Sequence, residues 1–291
     1  MFELSEGQKR FFETFGYLVF KGLFAPEAKE ISRVFDNTME QFSSELIEWR
    51  HRAHANQRRQ FLTQFIDRNE YLSALLDDER ILGIYKGLLG DDFIYRGSDA
   101  NLFECGTCWH SDTYGALLKY RNVKIIFYLD QQGADSGCFR VLPGSQHFGD
   151  KFANKLQAFL KKNDSYMEDL GLQDHEIPAQ IIPTEPGDVV VFDFRVKHAT
   201  CFASERQRRM FTICAAEKLR EEDIPQLRQE ITDAGKYGFT SYYGEAMVRT
   251  AGPERMRHLQ QCLDNEDALF VPSDNAPAAN EEFEKEQQSI S

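Results

Sequence analysis

The feature of this sequence that most constrains its fold is a series of short apolar and aromatic segments that begins near residue 93. The segments cover residues 93–104, 122–130, 138–142, 179–183, 188–194 and 210–216, and clusters of Gly, Asp, Ser and Pro separate them. Short strands at this density are typical of two antiparallel sheets that pack face to face. The sequence therefore predicts a mainly β domain with flanking helices, built on a jelly-roll core over about residues 93–216.

Amphipathic patterns outside this core indicate helices at residues 3–16, from 25 to about 44 and at 71–89, with a strand at 17–24. A polar helical insertion is expected at about 148–178. We expect a single domain over residues 1–272. Residues 273–291 are acidic and poor in apolar side chains, which predicts a disordered tail.

The charge and apolar content of the chain argue against several classes of partner. A formal net charge of −13 repels phosphate backbones, so nucleic acid is a poor partner. No apolar run is long enough to span a bilayer, and the acidic N-terminus lacks the features of a signal peptide. Six cysteines are too few for a disulfide scaffold in 291 residues. We expect a cytoplasmic protein that binds a small molecule rather than nucleic acid or membrane, with a homo-oligomer left open.

Two histidines and one aspartate form the pattern that carries chemistry. His110 and Asp112 are two residues apart in CWHSD, so on a strand both side chains point to the same face. His198 follows an apolar strand in VVVFDFRVKHAT, and His147, on a loop, is the weaker alternative to it. Two imidazoles and a carboxylate on one face of a metal are the ligand set of non-haem Fe(II) sites with open positions. The pattern predicts a metal centre at His110, Asp112 and His198.

A hydroxyl and a cation follow the second histidine. Thr200 lies two residues after His198, and the run ERQRR precedes the strand MFTIC. An arginine at the start of that strand would enter the core beside the metal, where its planar fork matches a carboxylate. A metal next to such a clamp suits 2-oxoglutarate, whose keto-acid end chelates iron while its far carboxylate meets the arginine.

Together these segments resemble the phytanoyl-CoA dioxygenase family of Fe(II)- and 2-oxoglutarate-dependent oxygenases. The similarity lies in GYLVFKGLFAPEAKE, CWHSD, GADSGCFRVLPGSQH, EPGDVVVFDFRVKHAT and ERQRRMFTI, in the family's order over about residues 5–216. The resemblance implies a double-stranded β-helix, the cupin-like form of the jelly roll. It also implies Fe(II), 2-oxoglutarate and O2 as cofactor and cosubstrates, with the two histidines and the aspartate as iron ligands.

The resemblance further implies a set of contacts to 2-oxoglutarate. Arg208 and Thr200 would hold its far carboxylate. A loop about one residue shorter than usual leaves Arg209 as the alternative, although the match of the following strand favours Arg208. Asn101 lies on the strand before the HxD motif, where relatives place a polar contact. Lys124, in VKIIFYLD, would need an anionic partner if buried, and either the cofactor or a structural acid would serve; alternatively its side chain extends to the rim.

Four residues are candidates for contacts with the substrate. Trp109, Thr113 and Tyr114 flank the first two ligands and would line the mouth of the cavity, although core packing explains Trp109 equally well. Arg58 belongs to the basic segment 45–68. That segment is either a solvated helix face or loop, or an entrance loop that attracts an anionic substrate.

The predicted function is hydroxylation of an unactivated C–H bond in a small anionic or zwitterionic molecule, with release of succinate and CO2. Halogenating relatives carry Gly or Ala at the carboxylate position, so the presence of Asp112 favours oxygen transfer. Desaturation, ring formation and C–N cleavage stay open as other radical outcomes. A different metal-dependent cupin-type enzyme without 2-oxoglutarate is the alternative, and a non-catalytic binding protein is disfavoured because it would not need all three ligands.

Overall fold

A computed structural model of the chain describes residues 2–51, 57–104, 106–113, 118–159, 171–202, 207–235 and 241–266. Its helices are α1 (Glu6–Phe15), α2 (Ala28–Gln41), α3 (Glu70–Ser73), α4 (Glu79–Leu89), α5 (Lys151–Phe159), α6 (Ile224–Gly235), α7 (Glu245–Arg249) and α8 (Pro253–Leu263). Its strands are β1 (Tyr17–Phe20), β2 (Ile47–His51), β3 (Gln57–Thr63), β4 (Ile94–Glu104), β5 (Thr107–His110), β6 (Asn122–Tyr128), β7 (Phe139–Val141), β8 (Gln180–Ile182), β9 (Val189–Asp193), β10 (His198–Thr200) and β11 (Arg208–Ala216).

The strands form two open antiparallel sheets. The larger has the order β1-β9-β6-β11-β4-β3-β2, and the smaller has the order β5-β10-β7-β8. Non-consecutive strands lie side by side in both sheets, as a jelly roll requires. The predicted fold class is confirmed, with the two sheets facing each other as separate layers.

Three apolar clusters hold these layers together. The largest covers the outer face of the large sheet with the flanking helices and includes Phe35, Ile84 and Phe211. A second cluster, which includes Ile126, Val141 and Phe192, packs between the two sheets. The third lies under the insertion, against the outer face of the small sheet. β9 (VVVFD) is buried along its whole length because both of its faces are covered.

Local signals explain where the helices begin and end. Ser5 accepts from the backbone N–H of Gln8 while the Gln8 side chain returns to Ser5, and Gly16 ends α1 in the left-handed region. The helix predicted over 71–89 is interrupted, since Asn69 and Asp78 each cap a separate start, at α3 and α4.

The basic segment 45–68, for which the sequence left open a solvated helix face or loop and an entrance loop, contains two strands instead of a continuous helix among its described residues. It contributes β2 and β3, which extend the large sheet at the edge of β4. The predicted tail at 273–291 lies outside the described residues.

The C-terminal helices complete the core, although their sequence carries no motif. Leu227, Met247 and Leu259 are buried in the large cluster. His258 is 1% exposed and stacks on Phe93, with its Nδ1 2.8 Å from the Phe93 carbonyl oxygen. Within the described part of the chain, no helix is long and apolar enough to cross a membrane.

A buried carboxyl group ties this C-terminal segment to the large sheet. Asp67 is 1% exposed and accepts hydrogen bonds from the hydroxyls of Tyr95 and Ser98 and from the backbone N–H of Gly244. Burial raises the pKa of Asp67 to about 6, although these hydrogen bonds oppose the shift.

We expect Asp67 to make stability depend on pH. The folded state holds this proton more tightly than the unfolded chain does, since an ordinary aspartate has a pKa of 3.8. The contribution of Asp67 is therefore full below that pKa and is lost as the pH rises through about 6. Relative to Asp67→Asn, the wild type should lose roughly 3 kcal/mol of unfolding free energy between about pH 4 and 6. Denaturant unfolding across this pH range measures the difference in unfolding free energy between wild type and Asp67→Asn.

Asp36→Asn, at an exposed position, is the control. A difference between wild type and Asp67→Asn that does not change with pH would contradict the raised pKa of Asp67.

Candidate metal centre and its cavity

A cavity of about 360 Å³ lies between the inner faces of the two sheets. This volume falls within the range of small-molecule sites. Strand alternation builds the wall, because each strand contributes every second residue to it. The large sheet supplies Arg59, Phe61, Thr63, Asp99, Asn101, Phe103, Lys124, Ile126, Tyr128, Phe192, Arg208, Met210 and Thr212, and the small-sheet side supplies Thr107, His110, Asp112, Phe139, His198 and Thr200.

The three predicted metal ligands converge on this cavity. His110 ends β5 and His198 begins β10, and the two are direct cross-strand partners. Asp112 follows β5 in a turn, where its backbone N–H donates to the Phe194 carbonyl oxygen at 2.9 Å. The Nε2 atom of each histidine lies 3.8 Å from Asp112 Oδ1. One ligand atom from each of the three residues lies within 4.8 Å of the others, so they could hold one metal ion.

Close approach of β5 and β10 depends on a glycine. A Cβ at Gly106, just before β5, would lie 2.4 Å from the Thr200 carbonyl oxygen. Any larger residue would force the two strands apart. Thr107 and Thr200 complete the pairing, since the Thr107 backbone N–H donates to Thr200 Oγ1 at 2.7 Å.

Both histidines are held in the tautomer that a metal requires. Nδ1 of His110 lies 2.8 Å from the Cys108 carbonyl oxygen, and Nδ1 of His198 lies 3.0 Å from that of Val196. Because a carbonyl oxygen only accepts, each Nδ1 carries the proton and each Nε2 presents its lone pair to the cavity.

The charges around the ligands also suit a cation. Burial, together with the neighbouring His198, lowers the pKa of His110 to about 3, and burial lowers the pKa of His198 as well. Burial alone would raise the pKa of Asp112, but the Lys124 ammonium and the two imidazoles outweigh it and hold that pKa below its usual value. Two neutral imidazoles and one ionised carboxylate fit Fe(II).

Lys124 has a partner in the metal centre. Its Nζ lies 2.6 Å from Asp112 Oδ2, whereas Oδ1 of the same carboxylate faces the two histidines. The sequence left either the cofactor or an acidic side chain as the partner of Lys124, and in the structure the partner is the Asp112 carboxylate. The ion pair leaves one carboxylate oxygen for a metal and fixes its direction.

Removing this ammonium should weaken the metal centre. In Lys124→Met, Asp112 loses its fixed orientation, and burial is left to raise the pKa of the carboxyl group. We expect affinity for Fe(II) to fall by about 10–100-fold, as for other partners of metal ligands. Anaerobic calorimetry with Fe(II) measures it. Lys119→Met removes an exposed lysine paired with Asp223 and is the control; equal affinities for the two variants would show that Lys124 does not position the ligand.

Arg208 and Arg209 lie on opposite faces of β11, and only Arg208 is among the described residues that line the cavity. Arg208 lines it, is 7% exposed and donates from Nη1 to the Gly137 carbonyl oxygen at 2.6 Å. Arg209 faces the opposite way and forms ion pairs with Asp36 at 2.7 Å and Asp130 at 2.8 Å. The geometry therefore brings Arg208, and not Arg209, into the wall that faces the metal ligands.

The other predicted site residues divide between the cavity and the surrounding structure. Thr200 and Asn101 line the cavity. Trp109 is not among the described residues that line the cavity. It packs on the outer side of the small sheet, in the cluster of Leu142, Ile177 and Ala199. Its indole N–H donates to the Asp174 carbonyl oxygen. Thr113 is buried beside Ser111, its hydroxyl 3.1 Å from that of Ser111, and is likewise not part of the described wall. Tyr114 and the side chain of Arg58 lie outside the described residues.

Sequence reasoning missed several wall residues, chief among them Arg59, Asp99, Tyr128 and Thr212. Two of them follow from alternation once a neighbour is placed: Asp99 shares a face with Asn101, and Thr212 shares a face with Arg208. Arg59 could not be found this way, because its position depends on pairing of β3 with β4.

Comparison with known proteins identifies the family. The model of the phytanoyl-CoA dioxygenase family, PhyH, matches residues 12–210. The chain belongs to this family. Its predicted resemblance is thereby confirmed, and with it the class of enzyme, an iron- and 2-oxoglutarate-dependent oxygenase. No curated protein matches the chain.

Solved structures share the fold of this family member at low sequence identity. SnoK, a non-haem α-ketoglutarate-dependent carbocyclase from nogalamycin biosynthesis, is 20% identical with a TM-score of 0.58. The match covers 74% of this chain and 84% of SnoK. SnoN, an epimerase from the same biosynthesis, is 16% identical with a TM-score of 0.56. The match covers 73% of this chain and 82% of SnoN. EctD from S. alaskensis, solved with 2-oxoglutarate and 5-hydroxyectoine, is 18% identical with a TM-score of 0.54. The match covers 74% of this chain and 76% of EctD.

Proposed function

We propose that this oxygenase hydroxylates an unactivated C–H bond of a small anionic or zwitterionic molecule, with release of succinate and CO2. The observation that carries the proposal is the convergence of His110 Nε2, His198 Nε2 and Asp112 Oδ1 in a cavity whose wall also holds a buried arginine. Three protein ligands leave open positions on the metal for a cosubstrate and O2.

The residues of the wall have distinct roles in this proposal. The two histidines and Asp112 hold Fe(II), and Lys124 orients Asp112. Arg208 binds the far carboxylate of 2-oxoglutarate through its guanidinium fork, with Thr200 beside it. Asn101, for which the family resemblance implied the same contact, directs its amide nitrogen to Asp99 instead. When bound, iron and 2-oxoglutarate supply, with O2, the oxidising power that an unactivated C–H bond requires.

The remaining wall selects and orients the substrate. Phe61, Phe103 and Phe139 line the cavity with apolar surface, which excludes water from the reacting C–H bond. Arg59 contributes a second cation, with its guanidinium carbon 4.3 Å from the Phe61 ring centre. A substrate that carries an acidic group fits this charge, as the basic segment 45–68 suggested.

Arg208 in the cavity wall favours this function over a cupin-type enzyme that uses no 2-oxoglutarate. Ring closure and epimerisation, the reactions named for SnoK and SnoN, remain outcomes of the same class of chemistry on the same fold. Product analysis distinguishes them from hydroxylation.

Anaerobic titration of the protein with Fe(II) and 2-oxoglutarate tests the proposal. We expect the weak visible band of iron chelated by a 2-oxo acid, followed on addition of O2 by formation of succinate. Iron binding without the band would favour an enzyme that uses no 2-oxoglutarate. Failure to bind iron would exclude the metal centre itself.

A further inference from the structure

We propose that the cavity contains a subsite for a protonated amine of the substrate, formed by the Asp99 carboxylate and the Asn101 carbonyl oxygen. The inference rests on the proposed function, since it takes the cavity between the sheets as the substrate site. It goes beyond that function by naming the group that the substrate must carry and the residues that bind it.

Asp99 is a carboxylate held rigidly in the cavity wall. Thr212 Oγ1 donates to its Oδ1, and Asn101 Nδ2 donates to its Oδ2. Both donors are buried, with Thr212 2% and Asn101 1% exposed. Two fixed donors, one on each oxygen, orient the carboxylate.

Nothing in the described part of the protein neutralises this charge. Asp99 has no ion-pair partner among the described residues, and the cations of the cavity wall lie elsewhere along the strands. Lys124 pairs with Asp112. Arg208 pairs in register with Phe103, four residues from Asp99 and therefore about 13 Å along β4. A carboxylate in a partly enclosed cavity is costly without a cation, so a ligand that brings one gains binding energy.

Asn101 supplies an independent sign of a ligand. Its Oδ1 is buried in the cavity wall without a hydrogen-bond partner, because its amide nitrogen is turned toward Asp99. An orphaned acceptor requires a donor. The carboxylate and this oxygen therefore present acceptors side by side, and the group that satisfies both carries a positive charge and several N–H donors.

The position of the subsite suits the chemistry. Thr212, which faces Asp99 across the β4–β11 pair, lies two residues from Cys214, the register partner of Lys124. The subsite is thus about 7 Å along the strands, and two strands or about 10 Å across the sheet, from the lysine that contacts Asp112. Asp99 and the candidate metal ligands line the same cavity, so a molecule several bonds long that is bound there by its amine would extend toward the metal centre. A primary or secondary ammonium fits, whereas a quaternary one offers no N–H to these acceptors.

Matched small molecules test the subsite without knowledge of the natural substrate. The probes are ω-amino acids of increasing chain length, each with its N-acetyl and its N-trimethyl counterpart. Binding to the full chain is measured by anaerobic calorimetry with Fe(II) and 2-oxoglutarate, and again without them. We expect at least one free amine to bind about tenfold or more tighter than both counterparts, and Asp99→Asn to abolish the preference.

The inference is overturned if no free amine in the series binds better than its counterparts, or if Asp99→Asn keeps the preference. Should that variant fail to fold, the comparison of probes on the wild type decides alone. The chelate band, recorded in the same samples, tests the proposed function separately. A band without amine preference would refute the subsite only, and amine preference without a band would refute the proposed function only.

Discussion

His110→Ala is expected to abolish iron binding and all turnover of 2-oxoglutarate while leaving the fold intact. The variant removes one of three protein ligands, so affinity for Fe(II) should fall by more than the roughly 10–100-fold that loss of an outer partner costs. Calorimetry with Fe(II) and assay of succinate measure the two effects. Circular dichroism establishes that the variant is folded.

Asp112→Ala should have the same effect on iron and an additional effect on stability. It removes the carboxylate 2.6 Å from the Lys124 ammonium, at a largely enclosed site where the two side chains are 18% (Lys124) and 6% (Asp112) exposed. Removing one member of a buried ion pair costs about 3–5 kcal/mol. His110→Ala carries no such penalty, so the two variants should lose iron equally and differ in thermal unfolding.

His147→Ala is the control for both variants. His147 is exposed and contacts the Thr14 carbonyl oxygen, away from the cavity. It should bind iron as the wild type does. Normal turnover in His110→Ala, or loss of iron in His147→Ala, would show that the metal ligands are wrongly assigned.

Arg208→Ala should raise the concentration of 2-oxoglutarate required for turnover far more than Arg209→Ala. Loss of a charge-assisted contact to a buried carboxylate costs about 3 kcal/mol, or roughly a hundredfold in the apparent KM for 2-oxoglutarate. The maximum rate at saturating 2-oxoglutarate should change less, and initial rates of succinate formation measure both parameters.

Arg209→Ala removes the same side chain from the next position and is a matched control. It breaks one ion pair with the exposed Asp36 and one with the partly buried Asp130, so some loss of stability and no change in KM are expected. If Arg209→Ala raises the KM and Arg208→Ala does not, the clamp has been assigned to the wrong residue.

The strands and the metal ligands were accessible from sequence because both depend on local spacing. Every one of the six apolar segments predicted as strands contains one, from β4 to β11. His110 and Asp112 share a face through their two-residue separation. The same rule, applied to its neighbour, would have turned Trp109 outward, since adjacent residues on a strand point to opposite faces.

Other features depended on pairing between distant segments. The basic segment 45–68 became an edge of the large sheet only because β3 pairs with β4, and that register put Arg59 in the cavity wall. The C-terminal helices carry no pattern that predicts their place, yet they bury His258 and Tyr243 against the large sheet.

The sequence by itself determined the jelly roll, the family and the three candidate metal ligands, because side-chain alternation and motif spacing are properties of a few adjacent residues. Only the tertiary structure decided which of Arg208 and Arg209 enters the cavity, which acid Lys124 pairs with, and that Asp99 and Asn101 face the same space. The physical reason is that charges and hydrogen-bond donors find partners across strands far apart in the chain. Those pairings follow from sheet register, which no single segment encodes.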